Sequence, residues 1–412
     1  MKKFNTHLIA QASLVGLSAL LCLSAAQAQQ VLPVASDKVA PTDDSFYTSP
    51  SAASLSAVAP GTVLRYRALP ASALVSAAKE GYQIMYRSND SKDQPVAMVT
   101  TLLVPKNAPL FGRQLVSYQS FYDSLTLNCS PSGLTLNGKL NDKTIGAYQP
   151  ALSKGVYVVM SDYEGLQSQW IAGRNTAHGV LDGIRAALSF TKTGLGASTR
   201  VGMLGYSGGG YATGFAAELA ASYAPELKIV GAAQGGLPVN PVNVAKKVDG
   251  GLFAGAYLGA LVGLSRAYPE LDTDLYANAD GKAALKDGGT RCLGGSLEGQ
   301  PELLAKYAFK KGSQYFKDPN FLDLPEIQAI NAENTMGQSS PKFPLMVFQG
   351  KSDELMPLAD VDNLVAKYCA AGTKVQYDAV VGDHLTVGLK LTSGMNYVLD
   401  LLNGKAATNN CK

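Results

Sequence analysis

Gly205-Tyr206-Ser207-Gly208-Gly209 sets a serine among glycines, directly after the apolar run Val201-Gly202-Met203-Leu204 and before a small-residue stretch from Gly210 to Ser222. Strand, sharp turn and helix in that order make a nucleophile elbow. The serine there sits in a strained conformation, so its near neighbours must lack bulky side chains. A five-residue pattern carries little weight by itself, but this one occurs once in the chain and falls at an expected strand-to-helix junction. Ser207 is the candidate nucleophile; the alternative is a plain tight turn.

A serine hydroxyl needs a base at neutral pH, and histidine is the side chain best tuned to serve. The chain has three, His7, His178 and His384. His7 belongs to the N-terminal segment treated below. In a sheet carrying such an elbow the order along the chain is serine, then acid, then histidine, which leaves His384, in the loop Val381-Gly382-Asp383-His384. His178, near the start of a helical stretch, reads as a packing or polar-contact residue. The acid is expected after the strand preceding the histidine's strand. Pro344 to Gly350 runs into Lys351-Ser352-Asp353, so Asp353 is the candidate, to hold the imidazole tautomer and stabilise the imidazolium. Glu354 is its nearest rival, while Asp360 and Asp362 belong on a helix that Pro357 helps start.

Two donors must meet the oxyanion of acyl transfer, one of them the N–H of the residue after the nucleophile, here Gly208. The second should come from a loop at the carboxyl end of another strand. Ser117-Tyr118-Gln119-Ser120 and Ser161-Asp162-Tyr163-Glu164-Gly165 both qualify, and position alone does not choose between them.

These residues need a sheet to converge on. Strand-like runs lie at Val63–Leu69, Tyr82–Arg87, Val96–Val104, Gln114–Tyr118, Val156–Met160, Val201–Leu204, Ile229–Ala233, Leu345–Gln349 and Val375–Val380. Between them, Ala177, Leu181, Ile184 and Leu188 recur at helical spacing, as do Phe215, Leu219 and Tyr223. Alternating strands and helices predict an α/β fold, a mostly parallel sheet flanked by helices, with its chemistry at the carboxyl ends of strands. Residues 61–236 and 342–412 form that core. Residues 237–341 interrupt the alternation with short helical segments and no clear strand, and read as an inserted helical cap or lid. Its apolar stretch Leu252–Leu264 serves as a buried cap helix or as a wall for an acyl chain, and is too short to cross a bilayer.

At the N-terminus, Lys2 and Lys3, an apolar core from Leu14 to Leu23 and the small-residue site Ala26-Gln27-Ala28 have the three parts of an export signal, with cleavage expected after Ala28. The product is then secreted or periplasmic. Residues 29–60 lack a sustained period and predict an extended arm or loosely packed lead-in. The formal charge of +3 falls by two when Lys2 and Lys3 leave, which gives no basic field for nucleic acid. Cys22 goes with the signal. Cys129, Cys292, Cys369 and Cys411 remain, an even set for an oxidising compartment. Of three pairings, Cys129–Cys292 with Cys369–Cys411 is favoured because the second bridge would pin the polar tail Ala406–Asn410. No Cys/His spacing suits a metal, and no cofactor is called for.

Taken together, the elbow, Ser161-Asp162-Tyr163-Glu164-Gly165, Val180-Leu181-Asp182-Gly183-Ile184-Arg185-Ala186 and Gly350-Lys351-Ser352-Asp353-Glu354-Leu355-Met356-Pro357 resemble the secretory lipase family, over roughly Pro60 to Cys411. The resemblance implies an α/β-hydrolase fold with a helical cap, and implies that Asp162 makes the second oxyanion contact. It also implies hydrolysis of carboxylic esters, most naturally acylglycerols, with transient contact between the cap and a lipid interface. Two rivals stand beside that expectation: a non-lipid esterase or peptidase using the same triad, and a non-catalytic binding protein on the same fold.

Overall fold

The computed structural model describes residues 30–36, 39–138, 142–293 and 303–411. The export-signal expectation lies outside them. Ten strands form one sheet: β1 (Gln30–Val31), β2 (Val63–Ala68), β3 (Ala78–Asn89), β4 (Pro95–Pro105), β5 (Gln114–Gln119), β6 (Tyr157–Ser161), β7 (Arg200–Tyr206), β8 (Ile229–Gly235), β9 (Leu345–Gly350) and β10 (Val375–Val380). Their order is β1-β2-β3-β4-β6-β5-β7-β8-β9-β10. From β6 to β10 every neighbour is parallel, while β2, β3, β4 and β6 pair antiparallel. The protein has an α/β-hydrolase fold.

Helices on both faces explain why β6 (Tyr-Val-Val-Met-Ser) and β9 (Leu-Met-Val-Phe-Gln-Gly) are buried along their whole length. A strand covered on both sides needs a continuous apolar run rather than an alternating one. The helices Gly173–Ser189 and Gly208–Tyr223 pack on one face, and the helix Leu391–Leu402 closes the other. From β5 the chain crosses to β6 on one side and then to β7 on the other. Such a reversal opens a crevice at the carboxyl ends of β5 and β7, which is where ligands bind in open α/β sheets.

Between β8 and β9 the described residues form no strand. They fold into the helices Pro241–Val248, Gly255–Ala267, Ala279–Gly288 and Pro325–Glu333 with shorter turns between them. Among the described residues no helix is long and apolar enough to cross a membrane.

The lead-in departs from expectation. Gln30–Val31 does extend along β2, but the segment that follows is packed, not loose: Phe46, Tyr47 and Leu55 are buried with Met85, Ala97 and Val99 in a cluster of their own. The Arg67 guanidinium lies over the Phe46 ring and pairs with Asp44 at 2.6 Å. Burial of those two aromatic rings offsets the entropy of ordering a segment that has no periodic pattern.

Candidate active site

β7 ends at Tyr206, and Ser207 follows at φ 56° and ψ −125°, a conformation that L-residues rarely adopt. Its neighbours must approach closely: a Cβ on Gly205 would fall 2.0 Å from the Gly209 carbonyl oxygen, and one on Gly209 would fall 2.0 Å from that of Gln119 on β5. The glycines let the turn close over the sheet and leave the hydroxyl at the N-terminus of the helix Gly208–Tyr223.

β10 lies three strands from β7, so the histidine must reach back across the end of β9. The loop after Val380 does this, with Asp383 capping the short turn His384–Val387 through its side chain to the Thr386 N–H. His384 is buried, with Nε2 2.9 Å from Ser207 Oγ and Nδ1 2.9 Å from Asp353 Oδ2. Asp353 follows β9 by three residues. Its Oδ1 accepts from the Leu355 and Met356 N–H groups at 2.9 and 2.8 Å, and its Oδ2 also accepts from Gln349 Nε2 at 2.7 Å. Burial pushes this carboxyl up, but the His384 imidazole and the two backbone donors pull harder, so it lies below the ordinary aspartate value.

Glu354, the rival acid, bonds the same histidine elsewhere: its Oε2 accepts from the His384 backbone N–H at 2.9 Å. The Tyr206 hydroxyl donates to the His384 carbonyl at 2.5 Å, and the Tyr206 ring stands 5.1 Å from the imidazole. His178 is buried far from the elbow, with Nδ1 3.1 Å from the Asp90 carbonyl and its ring against Tyr223. Burial pushes its pKa down to about 4.

The second oxyanion contact requires a correction. The Asp162 N–H donates to the Val99 carbonyl at 2.9 Å, and its carboxyl oxygens accept from the Ser132 N–H at 2.9 Å and the Ser132 hydroxyl at 2.5 Å. β6 and β4 are neighbours in the sheet, and that pairing consumes the Asp162 N–H before it can face the serine. Another aspartate, Asp123, lies against the elbow. A Cβ on Gly208 would fall 1.6 Å from Asp123 Oδ1, so the carboxyl rests directly on the residue after the nucleophile. Asp123 has φ 38°, and its Oδ1 accepts from the Trp170 indole N–H at 3.1 Å. Burial pushes its carboxyl up to about 7, against the pull of the Trp170 bond and of the His384 charge. The sequence held one pointer to it: Asp123 comes four residues after the end of β5, just past the other loop considered for this role.

Both favoured disulfides are present, with Cα–Cα distances of 5.9 Å for Cys129–Cys292 and 5.6 Å for Cys369–Cys411.

A strand-elbow-helix unit with an acid and a histidine returning from later strands occurs in many hydrolases, and the sequence comparison decides among them. Residues 135–410 match the family model described as secretory lipase. The chain belongs to the secretory lipase family.

This secretory lipase is 34% identical to lipase A of Moesziomyces aphidis over 365 residues, covering 84% of its own chain and 76% of the relative. It is 35% identical over 375 residues to the trichothecene C-3 esterase of Fusarium sporotrichioides, covering 85% and 80%. The crystal structure of Candida antarctica lipase A superposes with a TM-score of 0.83 at 32% identity, over 90% of this chain and 88% of that one. These relatives identify a carboxylic ester hydrolase of lipase type, and a secretory family agrees with export.

Proposed function

We propose that the protein hydrolyses carboxylic esters, acylglycerols among them, through an acyl-enzyme on Ser207. The supporting observation is the unbroken line from Asp353 through His384 to Ser207, with 2.9 Å at each step. Ser207 Oγ attacks the ester carbonyl as His384 Nε2 takes its proton. Asp353 keeps the imidazole in the tautomer that allows this and stabilises the imidazolium. The Gly208 N–H and Asp123 receive the oxyanion. A carboxyl held at about 7 carries its proton for much of the time near neutrality, and a protonated carboxyl donates a hydrogen bond.

The helices of residues 237–341 form the cap in this reading. Phe309 and Leu252 are exposed on it, the Phe309 N–H donates to the Gly251 carbonyl at 2.7 Å, and Leu385 and Leu389 are exposed on the wall of the catalytic cleft. Exposed apolar side chains on the cap and at the mouth suit transient contact with a lipid surface. A non-lipid ester is the second reading, favoured by the similarity to an esterase whose name specifies a trichothecene.

The test is Ser207→Ala assayed on p-nitrophenyl esters, with a fluorophosphonate probe on the parent protein. The expected loss in kcat is about 10⁴-fold or more. Unchanged turnover by a folded variant, or no adduct on Ser207, would sink the mechanism and favour a binding protein.

A further inference from the structure

We infer that the acyl half of the substrate is short, with Tyr257 setting its limit, and that the leaving alcohol is large and apolar. The inference rests on the ester-hydrolase reading above. When the bond between the acyl carbon and the alcohol oxygen breaks, that oxygen takes the proton held on His384 and the acyl group stays on Ser207 Oγ. Water then supplies hydroxide to the acyl carbon and returns a proton to the serine through the imidazole. The alcohol must therefore leave past His384, and the acyl chain must lie on the opposite side of Ser207.

Two cavities meet at Ser207, and they differ in size by a factor of about ten. One, of about 620 Å³, is walled by Tyr206, His384, Leu385 and Leu389. The other, of about 60 Å³, touches Gly208 but not His384, and is closed by Pro238, Val248 and Tyr257. By the proton argument the large cavity takes the alcohol and the small one the acyl chain. An apolar cavity of roughly 150 Å³ holds a benzene molecule, so about 60 Å³ accommodates roughly two or three carbons beyond the carbonyl.

A third cavity of about 30 Å³ lies beyond, lined by Leu264, Leu322 and Ile327. Pro241, Ala245, Tyr257 and Ala260 face both small cavities and so form the partition between them. Tyr257 is its one aromatic member, buried on the helix Gly255–Ala267. Its ring cannot swing aside freely. A Cβ on Gly312 would fall 1.9 Å from Tyr257 Cε1, and the Phe316 ring meets it edge-on with centroids 6.0 Å apart. The partition is stiff because moving the ring means moving the 312–316 segment as well.

The experiment is a chain-length series of p-nitrophenyl esters on the full-length exported protein. The expected maximum of kcat/KM is at roughly two to four acyl carbons, with a fall of about 100-fold by twelve. A maximum at eight carbons or beyond would overturn the inference while leaving the ester-hydrolase reading intact; no turnover of any ester would remove both. Tyr257→Ala joins the two small cavities and should lengthen the preferred chain by roughly two to four carbons. Ala260→Leu fills the pocket and should move the maximum to acetate, which keeps the partition testable if the first variant fails to fold. Unmoved maxima in folded variants would acquit Tyr257. For the alcohol half, tributyrin below its solubility limit should exceed ethyl butyrate by about tenfold or more in kcat/KM, and equality would overturn that half.

Discussion

Two adjacent carboxylates, Asp353 and Glu354, meet the same histidine at different atoms, the first at the imidazole and the second at the backbone N–H. Position after β9 made Asp353 the better candidate in the sequence, but nothing in one dimension could say that Glu354 holds the same residue from behind. Ser207 and His384 were legible because few residues qualify: one elbow, and one histidine after it. Asp123 was not, since no motif surrounds it and its closeness to Gly208 depends on β5 and β7 being neighbours. If Asp123 receives the oxyanion, Asp123→Ala should lower kcat by about 10²-fold with KM little changed. Asp123→Asn keeps a donor and should retain at least about ten times the activity of the alanine variant. Equal rates for the two variants would assign the effect to packing.

At the scale of elements, nine strands show in the sequence as apolar or β-rich runs, and β1 does not because two residues make no pattern. The packing of Phe46 and Tyr47 escaped for a related reason: it depends on rings finding a site on β3 and β4, not on spacing. In the loop after β10, two bonds hold the His384 backbone, Glu354 to its N–H and Tyr206 to its carbonyl. Glu354→Ala and Tyr206→Phe should each lower kcat by about tenfold through a less well placed imidazole, leaving KM near the parent value. A rise in KM alone would assign these residues to substrate binding instead. β10 is also an edge strand, and the tail covers it: Asn410 donates to the Val375 carbonyl from its backbone and bonds Tyr377 N–H and C=O through its side chain. Cys369–Cys411 holds that tail down. Replacing both cysteines by serine should cost about 2–4 kcal/mol in denaturant unfolding and promote association through the bared edge. An unchanged unfolding midpoint would mean that the tail holds itself.

Among the described residues, Asp123, Asp162 and Glu164 are buried acids, all nearly inaccessible. Burial pushes Asp123 and Asp162 up to about 7 and Glu164 well above the usual range, where the charge of Asp123 adds to the rise. A carboxyl raised in the folded state binds protons that the unfolded chain has already lost. Its contribution is therefore complete below about pH 4 and disappears as pH rises through the folded value near 7. Asp353, whose pKa is lowered, contributes in the opposite sense and loses its share as pH falls. Stability should decline from about pH 4 to 7, partly offset by His178, whose pKa lowered to about 4 makes its own contribution grow over the same range, and Asp162→Asn should flatten that decline by roughly 1–4 kcal/mol in thermal or denaturant unfolding. An identical slope in the variant would exclude Asp162 as a source.

The Cys129–Cys292 bridge joins the segment after β5 to the helical stretch between β8 and β9, and the backbone repeats the join: the Leu125 N–H donates to the Arg291 carbonyl and the Leu293 N–H to that of Asp123. Two stretches of chain sewn together beside the serine cannot part there like a hinged door. Any widening of the entrance would have to pivot about that seam, at the corner that holds Asp123.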